Sequence, residues 1–196
     1  MFIETEATPN PATLKFIPHT ALGPAGAARD FHPGDPDLNT APLVERLFGI
    51  DGVRGVFMTS DYLAVTKDDA TDWHDLKIDI LTALMDHLSS GNPAWIPAPS
   101  SSSGTTSPRS DDPVVKQIID FIDTRVRPAV AADGGDIVFD RFEGGIVYVQ
   151  LRGACAGCPS SSITLKNGIE TMLKHYVPDV QAVEAVPLDD DMAKTA

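Results

Sequence analysis

Fifteen residues near the middle of this chain divide it and decide how it folds. Residues 98–112 read Ala-Pro-Ser-Ser-Ser-Ser-Gly-Thr-Thr-Ser-Pro-Arg-Ser-Asp-Asp, and eleven of the fifteen are Ser, Thr, Pro or Gly. With no large apolar side chain to bury, the run reads as a flexible linker. As a coil it spans about 20 Å root-mean-square. The 196 residues then form two small domains, 1–97 and 113–186, with 187–196 read as a disordered tail.

Each domain has the periodicities of an α+β fold. In the first, Thr13–Ile17 reads as a strand, and Pro42 opens a short helix carrying Leu43, Val44, Leu47 and Phe48 that Gly49 stops. Val53–Val65 reads as two strands around Ser60-Asp61, and Asp72 caps a helix with Trp73, Leu76, Ile80, Leu84 and Leu88 on one face. Residues 19–39, rich in Gly, Pro, His and Asp, read as loop. The second domain reads α-β-β-α-β, two helices covering one face of a three-stranded sheet. Asp111 or Asp112 caps its first helix, whose stripe is Val115, Ile118, Ile119, Ile122 and Val126, with Pro128 just past its end. Ile137–Phe142 and Ile146–Leu151 form a hairpin turning at Glu143-Gly144-Gly145. A second helix through Ile163, Ile169, Met172, Leu173 and Tyr176 leads to a last strand at Val180–Val186.

Charge narrows the function. The net charge is −13, and both halves are acidic: 6 basic against 14 acidic side chains in 1–97, 8 against 12 in 113–196. That disfavours nucleic acid, which requires clustered Lys and Arg. No segment approaches the roughly 20 apolar residues of a membrane span. Met1-Phe2-Ile3-Glu4-Thr5-Glu6 is acidic and has neither an apolar run nor an Arg-rich amphipathic pattern, so no targeting segment is expected and a cytoplasmic location is.

The only two cysteines carry the chemistry. They lie in Gly153-Ala154-Cys155-Ala156-Gly157-Cys158-Pro159, where a strand pattern gives way to a helix pattern. Ala156 and Gly157 are small enough for an inorganic cluster to come close to the backbone, and Gly153 and Gly157 tolerate positive φ. Pro159 suits a first helical position. Thiols near a helix N-terminus are expected to have a lowered pKa and to be accessible as thiolates. Zinc and iron–sulfur sites of thiolate type take four ligands. This chain holds half that number, so the site is completed by a second copy or another ligand source. Three uses of C-x-x-C stay open at this point: an iron–sulfur site, a zinc-linked dimerisation module, and a thiol–disulfide oxidoreductase. Against the last, the motif follows a hairpin and has one strand after it.

Val126-Arg127-Pro128-Ala129-Val130-Ala131-Ala132-Asp133-Gly134-Gly135-Asp136-Ile137, followed by Gly153-Ala154-Cys155-Ala156-Gly157-Cys158-Pro159-Ser160-Ser161-Ser162, resembles the C-terminal domain of the NifU/Nfu family. Thr5-Glu6-Ala7-Thr8-Pro9-Asn10-Pro11-Ala12-Thr13-Leu14-Lys15-Phe16 is similar to the N-terminal domain of mitochondrial-type Nfu proteins, a form also found in bacteria. The resemblance implies a non-enzymatic iron–sulfur cluster scaffold or carrier. It makes Cys155 and Cys158 the ligands of a 4Fe–4S cluster, ahead of 2Fe–2S, held between two subunits. The implied partners are a second copy of the chain, an upstream cluster donor and recipient apo iron–sulfur proteins. With no leader at Met1, the implied address is the bacterial cytoplasm.

Other candidates have structural explanations. Asp133-Gly134-Gly135-Asp136 is turn chemistry feeding a strand. Gly168 interrupts a helix at about 1 kcal/mol relative to alanine, for which close packing is the expected reason. His19, His32, His74, His87 and His175 form no metal-ligand spacing, and Ser160–Ser162 fit the start of a helix better than a nucleophile. The first domain has no cysteine, and its expected role is docking of recipients.

Overall fold

The computed structural model describes residues 2–96, 112–156 and 159–186, and of 159–165 the backbone alone. Most of the expected linker, the alternative cap Asp111, Cys158 and the tail lie outside the described residues. The chain separates into two compact units, Met1–Gly104 and Thr105–Ala196.

The first unit contains β1 (Glu4–Ala7), β2 (Thr13–Ile17), β3 (Ala28–Phe31), α1 (Pro42–Phe48), β4 (Val53–Thr59), β5 (Leu63–Lys67) and α2 (Trp73–Ser89). Its sheet runs β1-β2-β5-β4-β3, antiparallel throughout. The two-residue alternation turns Phe16, Val56, Met58, Leu63 and Val65 to one face. There they share a core with Leu43, Val44 and Leu47 of α1 and Leu76, Ile80 and Leu84 of α2. Each such side chain contributes about 1.5–3 kcal/mol by leaving water. The Asp72 carboxylate accepts the His74 amide at 2.7 Å and caps α2.

Residues 19–39, expected to be loop, contain β3 and a short 3-10 turn at Leu38–Thr40. Strand β3 pairs with β4 from Ala28↔Thr59 to Phe31↔Val56. An edge strand needs little alternation when one anchor is deep in the core, and Phe31 is fully buried. At the opposite edge β1 reads Glu-Thr-Glu-Ala, held by a 3.1 Å ion pair between Glu6 and the buried Lys15. Charge at an edge discourages further strand pairing.

The second unit contains α3 (Pro113–Phe121), α4 (Arg127–Ala132), β6 (Gly135–Glu143), β7 (Ile146–Gly153), α5 (Pro159–Tyr176) and β8 (Ala182–Val186). The sheet order is β6-β7-β8, with β6 and β7 antiparallel and β7 and β8 parallel. The parallel pair requires a crossover, which α5 supplies. Two left-handed glycines, Gly144 at φ 59° and Gly145 at φ 84°, close the β6–β7 hairpin. A register shift between Phe139 and Arg141 resets the alternation, so Phe142 packs against the same core as Ile137 and Phe139. Ile118, Ile122 and Val130 from the first helical stretch and Ile169 and Leu173 from α5 complete that core. This is the expected α+β architecture, with the two helical stretches sharing a core with one face of a three-stranded sheet.

Two details differ from expectation. The first helix does not stop before Pro128. It passes through a π turn at Ile122–Val126, where the Arg127 amide donates to Ile122 O, and continues as α4 to Ala132. Proline has no N–H for the carbonyl four residues back and crowds it, and the wider turn relieves both problems. At Gly168, a Cβ would meet nothing within 4 Å. Close packing against the described residues of the unit is therefore not the reason for this glycine.

Candidate functional site

Two glycine turns lie back to back at one end of the β6–β7 hairpin. After α4 the chain passes through Gly134, at φ 79°, and its amide donates to Ala131 O at 3.1 Å. After β7 it passes through Gly153, at φ 64°, into a turn over Ala154–Ala156. The Ala154 amide donates to Gly134 O at 3.2 Å and joins the two turns, and the Ala156 amide donates to Gly153 O at 3.0 Å. Gly135 and Gly153 are partners in the register.

Cys155 sits on this junction, 6% exposed and part of the unit's core. Its Sγ lies where a side chain on Gly135 would have to go. A Cβ there would stand 2.7 Å from Cys155 Sγ and 2.7 Å from Arg152 O. Space, not φ, demands glycine at 135. No local pattern marks this, because the contact crosses from one strand to the turn beyond its neighbour.

Arg127 braces the floor of the site. Its Nε donates to Asp136 Oδ1 at 3.0 Å and its Nη2 to Ile137 O at 3.1 Å. Its Nη1 lies 2.9 Å from Asp123 Oδ1, and Asp136 Oδ1 also accepts the Ile137 amide at 2.8 Å. The guanidinium thus ties the helical stretch to the start of β6, immediately beneath Gly135. Sequence reasoning missed this role, since a lone arginine beside a proline carries no signature of a clamp.

The expected lowering of the thiol pKa is reversed at Cys155. Burial pushes it up to about 11, and the negative charges of Asp133 and Asp136 add to the effect. Exclusion of water outweighs the proximity of the α5 N-terminus. Metal ligation requires the thiolate, so ligation here displaces a proton. In a Cys158→Ser variant, alkylation of Cys155 is expected to keep accelerating towards pH 11 instead of levelling near the ordinary value of 9.0. A raised folded-state pKa favours the neutral thiol, so its stabilisation is complete below the unfolded value and disappears as pH climbs from 9.0 to about 11. The loss across that window is about 2–3 kcal/mol. An alkylation profile that levels near pH 9 would refute the burial argument.

The structure therefore gathers Cys155 with Gly135, Gly153, Asp133, Asp136 and Arg127; Cys158 falls outside the described residues. Among the described residues no three or more His, Cys, Asp or Glu side chains form a group able to hold a metal ion. Among them, too, no helix is long and apolar enough to cross a membrane.

Two α+β units, one of them with a cysteine turn where a hairpin meets a crossover helix, define a modular two-domain protein. Residues 3–91 match the family model described as scaffold protein Nfu/NifU N terminal, and residues 118–184 match the NifU-like domain. The chain belongs to the NifU/Nfu family. A human relative, the mitochondrial NFU1 iron-sulfur cluster scaffold homolog, is 44% identical over 197 residues, covering 100% of this chain and 76% of that protein. The protein of the same name from Drosophila sechellia is 40% identical over 186 residues, covering 95% of this chain. The chain spans 65% of that fly relative's length, just under two thirds. Among solved structures, a NifU-like protein from Saccharomyces cerevisiae gives a TM-score of 0.45 at 25% identity, covering 48% of this chain and 84% of that one.

The mitochondrial names of these relatives overturn the expected bacterial cytoplasmic location. That expectation rested on the residues after Met1. A chain matching only part of its relatives' length says nothing through its first residues about an address segment.

Proposed function

We propose that this chain is an iron–sulfur cluster carrier. Two copies hold one 4Fe–4S cluster between them through Cys155 and Cys158 of each, and pass it to apo-proteins. The chain turns over no substrate of its own. The observation that carries this reading is the seat of Cys155, a thiol built into a glycine-lined turn that only glycine at 135 permits. Such a seat fixes a ligand sulfur and leaves small residues around it. The relatives' description as iron–sulfur cluster scaffolds supports the same use.

Release follows from the electrostatics. A recipient thiolate bonds to iron, a Cys155 thiolate leaves, and the sulfur takes up a proton. Burial and the two aspartates favour that protonation. Iron and sulfide keep their oxidation states through the exchange. The first unit docks recipients or the upstream donor while the second delivers the cluster.

The test is anaerobic reconstitution followed by iron and sulfide quantitation and sedimentation on one sample. The expected result is about four iron and four sulfide per dimer. A stoichiometric zinc dimer, or a metal-free monomer cycling between dithiol and disulfide, would overturn the proposal.

A further inference from the structure

Helix α5 carries an outward stripe that the described residues of its own unit engage only at Tyr176, through Phe121. Gly168, Met172 and Tyr176 recur every fourth residue, so they stack along one face. Met172 is 43% exposed and Tyr176 is 58% exposed. The glycine between them and the cysteine turn weakens the helix, yet among the described residues nothing within 4 Å of its missing Cβ explains it. The exposed neighbours Asn167 and Thr171 are uncharged. Charged groups on this stretch are Lys166, Glu170 and Lys174, with His175 near its end. Glu170 is committed within the unit, since its carboxylate accepts from Lys174 Nζ at 2.6 Å and from the Val183 amide at 3.1 Å. In a chain of net charge −13, this face is neutral to basic.

We infer that a second copy of the chain seats here, with the two α5 helices parallel and crossing at Gly168. This rests on the shared-cluster reading above. Copies of an acidic protein repel one another, and a stripe without net negative charge is spared that repulsion. The missing side chain at the crossing lets the two backbones approach, and Met172 and Tyr176 of both copies close the seam beyond it. The orientation follows from the position of the cysteines. Gly168 lies nine residues beyond Pro159, about 14 Å at 1.5 Å per residue. In a parallel pair both cysteine turns fall on the same side of the crossing. An antiparallel pair would separate the two Pro159 ends by about 27 Å, too far for one cluster.

The experiment uses the full chain, reconstituted anaerobically with ferrous iron and sulfide. Tyr176 packs on Phe121 with ring centroids 4.9 Å apart, so its replacement would disturb its own unit. Gly168→Glu and Met172→Glu avoid that problem, and glutamate is the better helix former than glycine. Each is expected to weaken the cluster-loaded dimer at least tenfold and to lose cluster correspondingly on dilution, with apo-protein melting unchanged or raised. Mixing Gly168→Glu with Gly168→Lys chains is expected to restore the dimer, since the two charges meet at the crossing. Variants that dimerise and retain cluster like wild type would overturn the seam and leave the shared cluster standing. A mixture that recovers nothing would overturn the crossing at Gly168. Wild type that holds its cluster as a monomer, or holds none, would overturn the reading on which the seam rests.

Discussion

Alanine at Gly135 is expected to destabilise the second unit by about 2–3 kcal/mol and to impair cluster retention with both cysteines still present. The added methyl would lie 2.7 Å from Cys155 Sγ and 2.7 Å from Arg152 O. Neither neighbour yields easily. Arg152 O belongs to the backbone of β7, and Cys155 Sγ is held in the core by a turn pinned through the Ala154 amide. The strand on the other side is no freer, because Arg127 clamps Asp136 and Ile137 O one and two residues on. Relief comes by moving Cys155 outward. Hydrogen exchange across β6 and β7 reads the stability change, and alkylation of Cys155 reads the displacement: the thiol should react faster at pH 8 as it gains water. Unchanged exchange and unchanged alkylation would show that the junction absorbs a methyl group, and Gly135 would lose its assigned role.

The elements legible in the sequence were those whose signal is local. Asp72 capping α2, Pro42 and Gly49 bounding α1, and Gly144-Gly145 closing the hairpin each act over a few residues. The apolar stripes of α2 and α3 point to their cores for the same reason. What escaped were effects that depend on distant partners. Strand β3 has one deep anchor, Phe31, and exists because β4 offers it an edge. Pro128 is a local stop signal, but the π turn before it removes the conflict, and nothing in residues 122–126 announces that turn. The position of Cys155 beside a helix start was legible. Its burial was not, and burial reverses the direction of its pKa. Gly168 is the converse case: its cost is local and legible, and no described residue of the unit packs against the missing Cβ to explain it.

Serine at Cys155 or at Cys158 is expected to lower bound iron and sulfide more than tenfold and to lower transfer to an apo-protein to the rate given by loose iron and sulfide. A serine hydroxyl gives up its proton to a metal far less readily than a thiol does, and its hard oxygen is a poorer donor than sulfur to an iron–sulfur cluster. Serine is smaller than cysteine and fits against Gly135. Its buried hydroxyl costs about 1–3 kcal/mol if it finds no acceptor. Cys155→Ala therefore serves as a second variant that removes the ligand without burying a hydroxyl. The two should lose cluster equally, whatever their melting temperatures. The dimer gives an independent reading. If each copy supplies half the ligands, loading and association are one linked equilibrium, and ligand loss in either copy abolishes both. Mixed with wild type, a doubly substituted chain forms no loaded dimer, since only two thiolates remain. It should therefore leave the cluster content of the wild-type fraction untouched. Transfer that survives substitution of both cysteines would remove them from the mechanism. Cluster bound at full stoichiometry by a strict monomer would show that four ligands come from within one chain or from small thiols, and the half-set argument would fail at its first step.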